Sequence, residues 1–361
     1  MAHREQERAV TIAREELAKI PYIDAENLGG RTVTTLTFWE NQEWHMWIVT
    51  PDGLLPMKGQ PVEADYFGRE RESDSDACIA FLDFMAQRAC WIDPLRPIGG
   101  LSCDIHNLGA SLAKIDLFFE VSKDRSTEVT RFVLTELEYI FGVCRSIFDL
   151  LQKTIARIWN RVTPVDKSLV KKNLPDSFRG MVMRERVRMS VEEIMERWGI
   201  PQQLADYYFR QGPFFESLRS YRDQIAHHGR DLRFLFVTER GFAIRADTEP
   251  FASFSVWNDE HMLTNRLASL RPVLAHIITE TLRACEEFTD VMQRFVVFPP
   301  PIAPGFTLFC RGHHTKELLQ IQSILENCLW WDQDPDAING AALDRQTNGE
   351  HLLSPEMQET K

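Results

Sequence analysis

The chain has 361 residues, 44% of them hydrophobic, 26% charged and 11% aromatic, a globular composition with room for two domains and a large core. A formal net charge of −12 argues against a globally basic nucleic-acid binder. Seven cysteines (Cys78, Cys90, Cys103, Cys144, Cys285, Cys310, Cys328) are scattered without a C-x-x-C pair, the usage of reduced thiols in a cytoplasmic protein.

No apolar run has the length of a bilayer span, and the opening MAHREQERAV is charged from its start, so neither membrane association nor a secretory leader is predicted. Val10, Ile12, Leu17 and Ile20 fall at helical spacing before Pro21. The alternation in RTVTTLTFWENQEWHMWIVTPDG predicts a β-hairpin around a polar ENQE turn. RERESDSD (69–76) reads as a charged loop leading into a short helix over ACIAFLDFMAQRAC, with Gly99 and Gly100 as a break. Residues 1–105 are therefore expected to form a small α+β region.

Long helices follow. LGASLAKIDLFFEVSK is one, and residues 127–161 carry the longest periodic segment, with the stripe Val133, Leu137, Ile140, Cys144, Ile147, Leu151 and Ile158. At 1.5 Å per residue it is about 50 Å long, enough for the spine of a bundle. SVEEIMERW opens on a capping box from Ser190 to Glu193. PQQLADYYFRQG is read as broken at Gly212 and Pro213, before a helix over PFFESLRSYRDQIAHH with Gly229 as its C-cap. LRFLFVTERGFAIR is a second hairpin, turning at ERG. A helix is expected from Asp259 to about Val296, kinked or restarted at Pro272. Thus 106–298 reads as a helical bundle with an inserted β-hairpin, 299–333 as a Pro-rich linker and C-terminal helix, and 334–361 as a disordered tail.

Chemistry concentrates in YRDQIAHHGRD (221–231). Arg222 is followed by the polar Asp223 and, four intervening residues on, by His227, with His228 adjacent. This resembles the signature of the HEPN superfamily (higher eukaryotes and prokaryotes nucleotide-binding domain): an Arg, often with a polar neighbour, then His four to six residues later near the end of a late bundle helix. The likeness covers about half the chain, residues 106–298. It implies a mainly α, HEPN-like antiparallel bundle, two-fold homodimerisation, and metal-independent RNA cleavage by 2′-OH attack with no cofactor. It also implies a setting in bacterial defence or toxin–antitoxin systems, with an antitoxin or regulatory protein as partner. The residue chemistry fits: histidine titrates near neutrality, and arginine presents a permanently charged fork to phosphate oxygens. A non-catalytic nucleotide- or protein-binding module is the alternative.

On an ideal helix His227 lies about 140° and His228 about 240° around from Arg222. Sharing one phosphate then requires the arginine to reach across or the last turn to unwind. Arg222 also fits an ion pair with Glu138 or Asp149 of the spine helix, and the histidines fit a simple C-cap. Arg145 and Asp149, four apart, can orient Arg222 or form a simple exposed intrahelical pair.

Residues 153–188 hold ten basic side chains against three acidic ones. Lys171, Lys172 and Arg179 are the candidates there for guiding RNA, or members of a solvated face. Two C-x-x-H pairs, Cys103 with His106 and Cys310 with His313 (His314 adjacent), can together compose a tetrahedral zinc site, but they lie some 200 residues apart in what read as unremarkable loops, so no metal is expected. Asp74 and Asp76 read as a solvated acidic loop. No Walker loop, dinucleotide fingerprint, G-x-S-x-G or H-E-x-x-H occurs.

Overall fold

The alternating segment folds as its pattern predicts in the computed structural model, which describes residues 12–124, 127–228, 235–249, 251–254 and 256–336, with the backbone alone for 222–228. After a single turn, α1 (Arg14–Leu17), β1 (Thr37–Glu40) and β2 (Glu43–Thr50) pair antiparallel with Glu40 opposite Glu43. Asn41 and Gln42 have φ of 53° and 63°, the left-handed pair that a two-residue hairpin turn requires. β3 (Gly53–Met57) extends this meander, and β4 (Ala64–Gly68) joins β1 in parallel. α2 (Ala80–Phe84) and a π turn over Met85–Ala89 follow.

The next helix, α3 (Ile92–Ser122), runs unbroken through Pro97, Gly99 and Gly100, contrary to the predicted break. Gly100 is used for close approach: a Cβ there would lie 3.2 Å from the Leu150 side chain. The boundary expected after residue 105 falls inside this helix. α4 (Thr130–Arg161) is the predicted spine, and every residue of its stripe is buried. α5 (Phe178–Val182), a small hairpin of β5 (Met183–Arg184) and β6 (Val187–Arg188), and α6 (Val191–Trp198) come next. Ser190 and Glu193 form the predicted capping box, and Gly199 closes α6 with φ of 59°.

α7 (Gln202–His228) is one helix, with Pro213 in its interior rather than its first turn. Proline at such a position normally kinks or breaks a helix. Here Tyr207, Tyr208, Phe215, Leu218 and Tyr221 are all buried, so packing on both sides of Pro213 overrides the local penalty. The second hairpin forms from β7 (Phe236–Thr238) and β8 (Gly241–Arg245), and β9 (Leu267–Ser269) makes it three-stranded. Pairing in β9 displaces the helix expected from Asp259. Instead α8 (Arg271–Phe295) starts with Pro272 in its first turn, where a missing N–H costs nothing.

Cross-contacts fix the bundle as antiparallel. Lys114 and Ser111 of α3 bond Glu136 of α4, Tyr208 of α7 bonds Gln152 of α4, and Tyr207 bonds the Ala284 carbonyl of α8. The Pro-rich stretch after α8 is not a free linker. It returns to the N-terminal region as β10 (Thr307–Arg311), which pairs with β4 and gives the sheet order β10-β4-β1-β2-β3. α9 (Thr315–Glu326) then packs on α3 and α8. Residues 337–361 of the predicted tail lie outside the described residues. The chain is thus mainly α with small sheets, and no helix among the described residues is long and apolar enough to cross a membrane.

Arg31 and Gln87 hold that return in place. Arg31, 5% exposed, donates to the carbonyls of Leu28 at 2.7 Å and of Gln87 and Pro300 at 2.6 Å. The Gln87 side chain donates to Phe306 O at 2.9 Å and accepts from Ala303 N–H at 2.9 Å. Removing Arg31 takes a charged donor from all three carbonyls and leaves that of Pro300 without one, at about 1–3 kcal/mol for each such bond. We expect Arg31→Ala to lower unfolding stability by at least about 3 kcal/mol in urea denaturation, and a loss below about 0.5 kcal/mol would refute the clamp.

Candidate functional site

The Arg–His motif occupies the last two turns of α7. The backbone is helical through His228, while the side chains of Arg222, Asp223, His227 and His228 and the proposed cap Gly229 lie outside the described residues. With the helix wound to His228, its last turn does not open before that residue, so the backbone positions of residues 222 and 227 stand about 140° apart around the axis.

Tyr221, the residue before the motif, is buried against Phe141 of α4 at 5.4 Å and Phe254 at 5.3 Å between ring centroids, and its hydroxyl meets that of Ser253. One end of the bundle therefore gathers the motif turn, the C-terminus of α3, the N-termini of α4 and α8, and the β7-β8-β9 sheet. Between α3, α4 and β7 at that end opens a cleft of about 740 Å³, lined among others by Lys123, Thr127, Thr130 and Thr238.

The two carboxylates named as supports differ in position. Asp149 pairs with Arg145 at 3.3 Å and accepts the Phe178 N–H at 3.3 Å, capping α5. It lies eight residues from Phe141, about 12 Å along α4 from the level of Tyr221. Glu138 is exposed one turn from Phe141, whereas its buried neighbour Glu136 faces α3.

The basic segment divides. Lys171 is half-buried, donates to Val162 O at 2.7 Å and sits 5.0 Å over the Trp159 ring, and burial pulls its pKa down. Lys172 donates to Glu196 O at 2.7 Å. Arg179, Arg184, Arg186 and Arg188 are exposed on and beside the β5-β6 hairpin. The two lysines thus help to hold the 162–172 loop, Lys172 from an exposed position, and the arginines add to the accessible basic surface.

A second constellation joins residues far apart in sequence. Cys310 of β10 stands directly opposite Asp65 of β4 in the antiparallel register, and α3 lays His106 over the pair. Asp65 Oδ1 and His106 Nε2 are 4.0 Å apart. Both atoms are buried without a hydrogen-bond partner, and the Cys310 Sγ lies with them in a group whose members are all within 4.8 Å of one another. The His313 ring stacks on that of His106 at 4.3 Å and 5° between planes. Burial pushes the Cys310 thiol up, with Asp65 adding to the shift, and burial pulls His106 down. Asp65 also lines a cleft of about 730 Å³ that includes Thr35, Trp47, Ile98 and Cys103.

So one member of each C-x-x-H pair joins the group, His106 from α3 and Cys310 from β10, while Cys103 and His313 are outside it and Asp65 is within it. Asp76 is likewise no solvated acid: it is 1% exposed, accepts from the Tyr66 hydroxyl at 2.8 Å and pairs with Arg311 at 3.4 Å. Asp74 is exposed and pairs with Arg71. Comparison with protein-family models, curated proteins and solved structures found no match.

These positions separate structural from accessible cations. Lys171→Glu should cost about 1–3 kcal/mol of stability through its lost carbonyl and ring contacts. The double substitution Arg184→Glu, Arg186→Glu should stay within about 0.5 kcal/mol of the parent. Equal melting temperatures for the two variants would contradict this division.

Proposed function

We propose that the chain is a metal-independent endoribonuclease of the HEPN type, acting as a two-fold homodimer with the Arg222 and His227 motif as its reactive centre. The observation that carries this reading is the setting of the motif. It ends a 27-residue helix, at the end of an antiparallel bundle where a cleft opens between α3, α4 and β7. HEPN domains, which the sequence resembles, use that position.

In this reading His227 takes the proton of the ribose 2′-OH, and the 2′-oxygen attacks phosphorus. The 5′-oxygen leaves with a proton, giving a 2′,3′-cyclic phosphate. Arg222 neutralises charge on the non-bridging oxygens as it builds. Carbonyls at a helix C-terminus favour imidazolium, which suits His228 to holding phosphate or protonating the leaving oxygen. Because Arg222 and His227 diverge around a helix wound through His228, the arginine of one copy serves the histidine of the other. RNA is the substrate class, the exposed arginines of the β5-β6 hairpin guide it, and an antitoxin-like partner belongs to the same reading.

Purified protein incubated with mixed RNA in EDTA should yield cyclic-phosphate ends. Arg222→Ala and His227→Ala should each lower cleavage by at least ~100-fold, and His228→Ala by less, all remaining folded. Reversal of Arg184 and Arg186 should weaken RNA binding and flatten its salt dependence. Inert wild-type protein across RNA substrates, or full activity in both Arg222→Ala and His227→Ala, would refute the reading.

A further inference from the structure

We propose that Asp65, His106 and Cys310 form a binding site for a zinc-class divalent ion, with the fourth coordination position open to water from the adjoining cleft. The site is separate from the motif: His106 stands sixteen residues, about 24 Å along α3, from that end of the bundle.

Three independent features converge on it. The first is the donor set, one oxygen, one imidazole nitrogen and one sulfur, which suits a borderline-soft dication and not magnesium or calcium. The second is spacing. With bonds of about 2.0–2.3 Å, tetrahedral ligands stand about 3.3–3.8 Å apart, and Asp65 Oδ1 and His106 Nε2 are at 4.0 Å. Small side-chain adjustments bring all three atoms onto one ion. The third is the unmet need of the donors. Buried polar atoms are almost always hydrogen-bonded, yet Asp65 Oδ1 and His106 Nε2 face each other without a partner. A cation between them satisfies both, and Cys310 binds as thiolate, releasing its proton to solvent.

The surrounding fold holds the donors in place. Gly312, His313 and His314 have φ of 72°, 53° and 57°, a left-handed run that costs about 1–2 kcal/mol per non-glycine residue. The run sets the His313 ring on that of His106. Gly109 makes the approach possible, since a Cβ there would lie 2.7 Å from the His314 carbonyl oxygen.

The test uses the full chain. After dialysis it should retain one zinc per chain by elemental analysis, and cobalt in its place should show a thiolate-to-metal charge-transfer band. His106→Gln and Asp65→Asn should weaken binding by at least about 100-fold, and Cys310→Ser should abolish the band, with folding checked by circular dichroism. Cys103→Ser and His313→Phe should bind like the parent. Absence of bound metal in the parent, a band that survives Cys310→Ser, or loss of metal in His313→Phe equal to that in His106→Gln would overturn the assignment. Because binding is read without RNA, its outcome is independent of cleavage at Arg222 and His227.

Discussion

The return of the chain after α8 to its N-terminal region is the constraint on which the architecture depends. Without it β4 loses its outer neighbour, α9 loses its dock on α3 and α8, and Cys310 never meets Asp65. The return buries Ile302, Ala303, Phe306 and Leu308 in the core and is also held by polar groups. Arg31 and Gln87 together engage the backbone of Pro300, Ala303 and Phe306, the Asp24 N–H reaches Ile302 O at 2.8 Å, and the Leu308 N–H reaches Asp83 at 2.7 Å. Backbone of a proline-rich stretch cannot satisfy itself by regular structure, so buried side chains do it instead. A stretch composed like a spacer thereby becomes the closing seam of the fold.

The bundle beyond that seam is organised by α4, whose buried stripe contacts α3, α7 and α8. Its antiparallel neighbours carry the two constellations to different heights. His106 lies midway along α3, against the sheet. The motif of α7 lies at the far end, with the β7-β8-β9 sheet. The proposed zinc-class binding at one and the proposed metal-free phosphodiester chemistry at the other therefore make no competing demands on the same side chains.

Local signals made much of this fold legible. The stripe of α4, the capping box of α6, both hairpin turns and α9 follow from periodicity and turn chemistry, and the structure agrees with them. Where the sequence misled, tertiary packing decided. α3 passes Gly99 and Gly100 because a close approach to Leu150 favours a small residue, and α7 passes Pro213 because five buried side chains flank it. The C-x-x-H spacings of Cys103 and Cys310 were visible, but the partner that completes the group, Asp65, is a product of the β4–β10 register, which no local pattern encodes. The same holds for Lys171, whose charge is visible in sequence but whose carbonyl partner at Val162 is not.

The proposal that Arg222 of one copy acts with His227 of another rests on a helix that stays wound to His228. Mixing inactive Arg222→Ala with inactive His227→Ala tests it most directly. Subunit exchange gives heterodimers in which one site regains both groups, so RNA cleavage should return to about a quarter of the wild-type rate. A mixture that exchanges subunits but remains as inert as its components would contradict a site shared between copies.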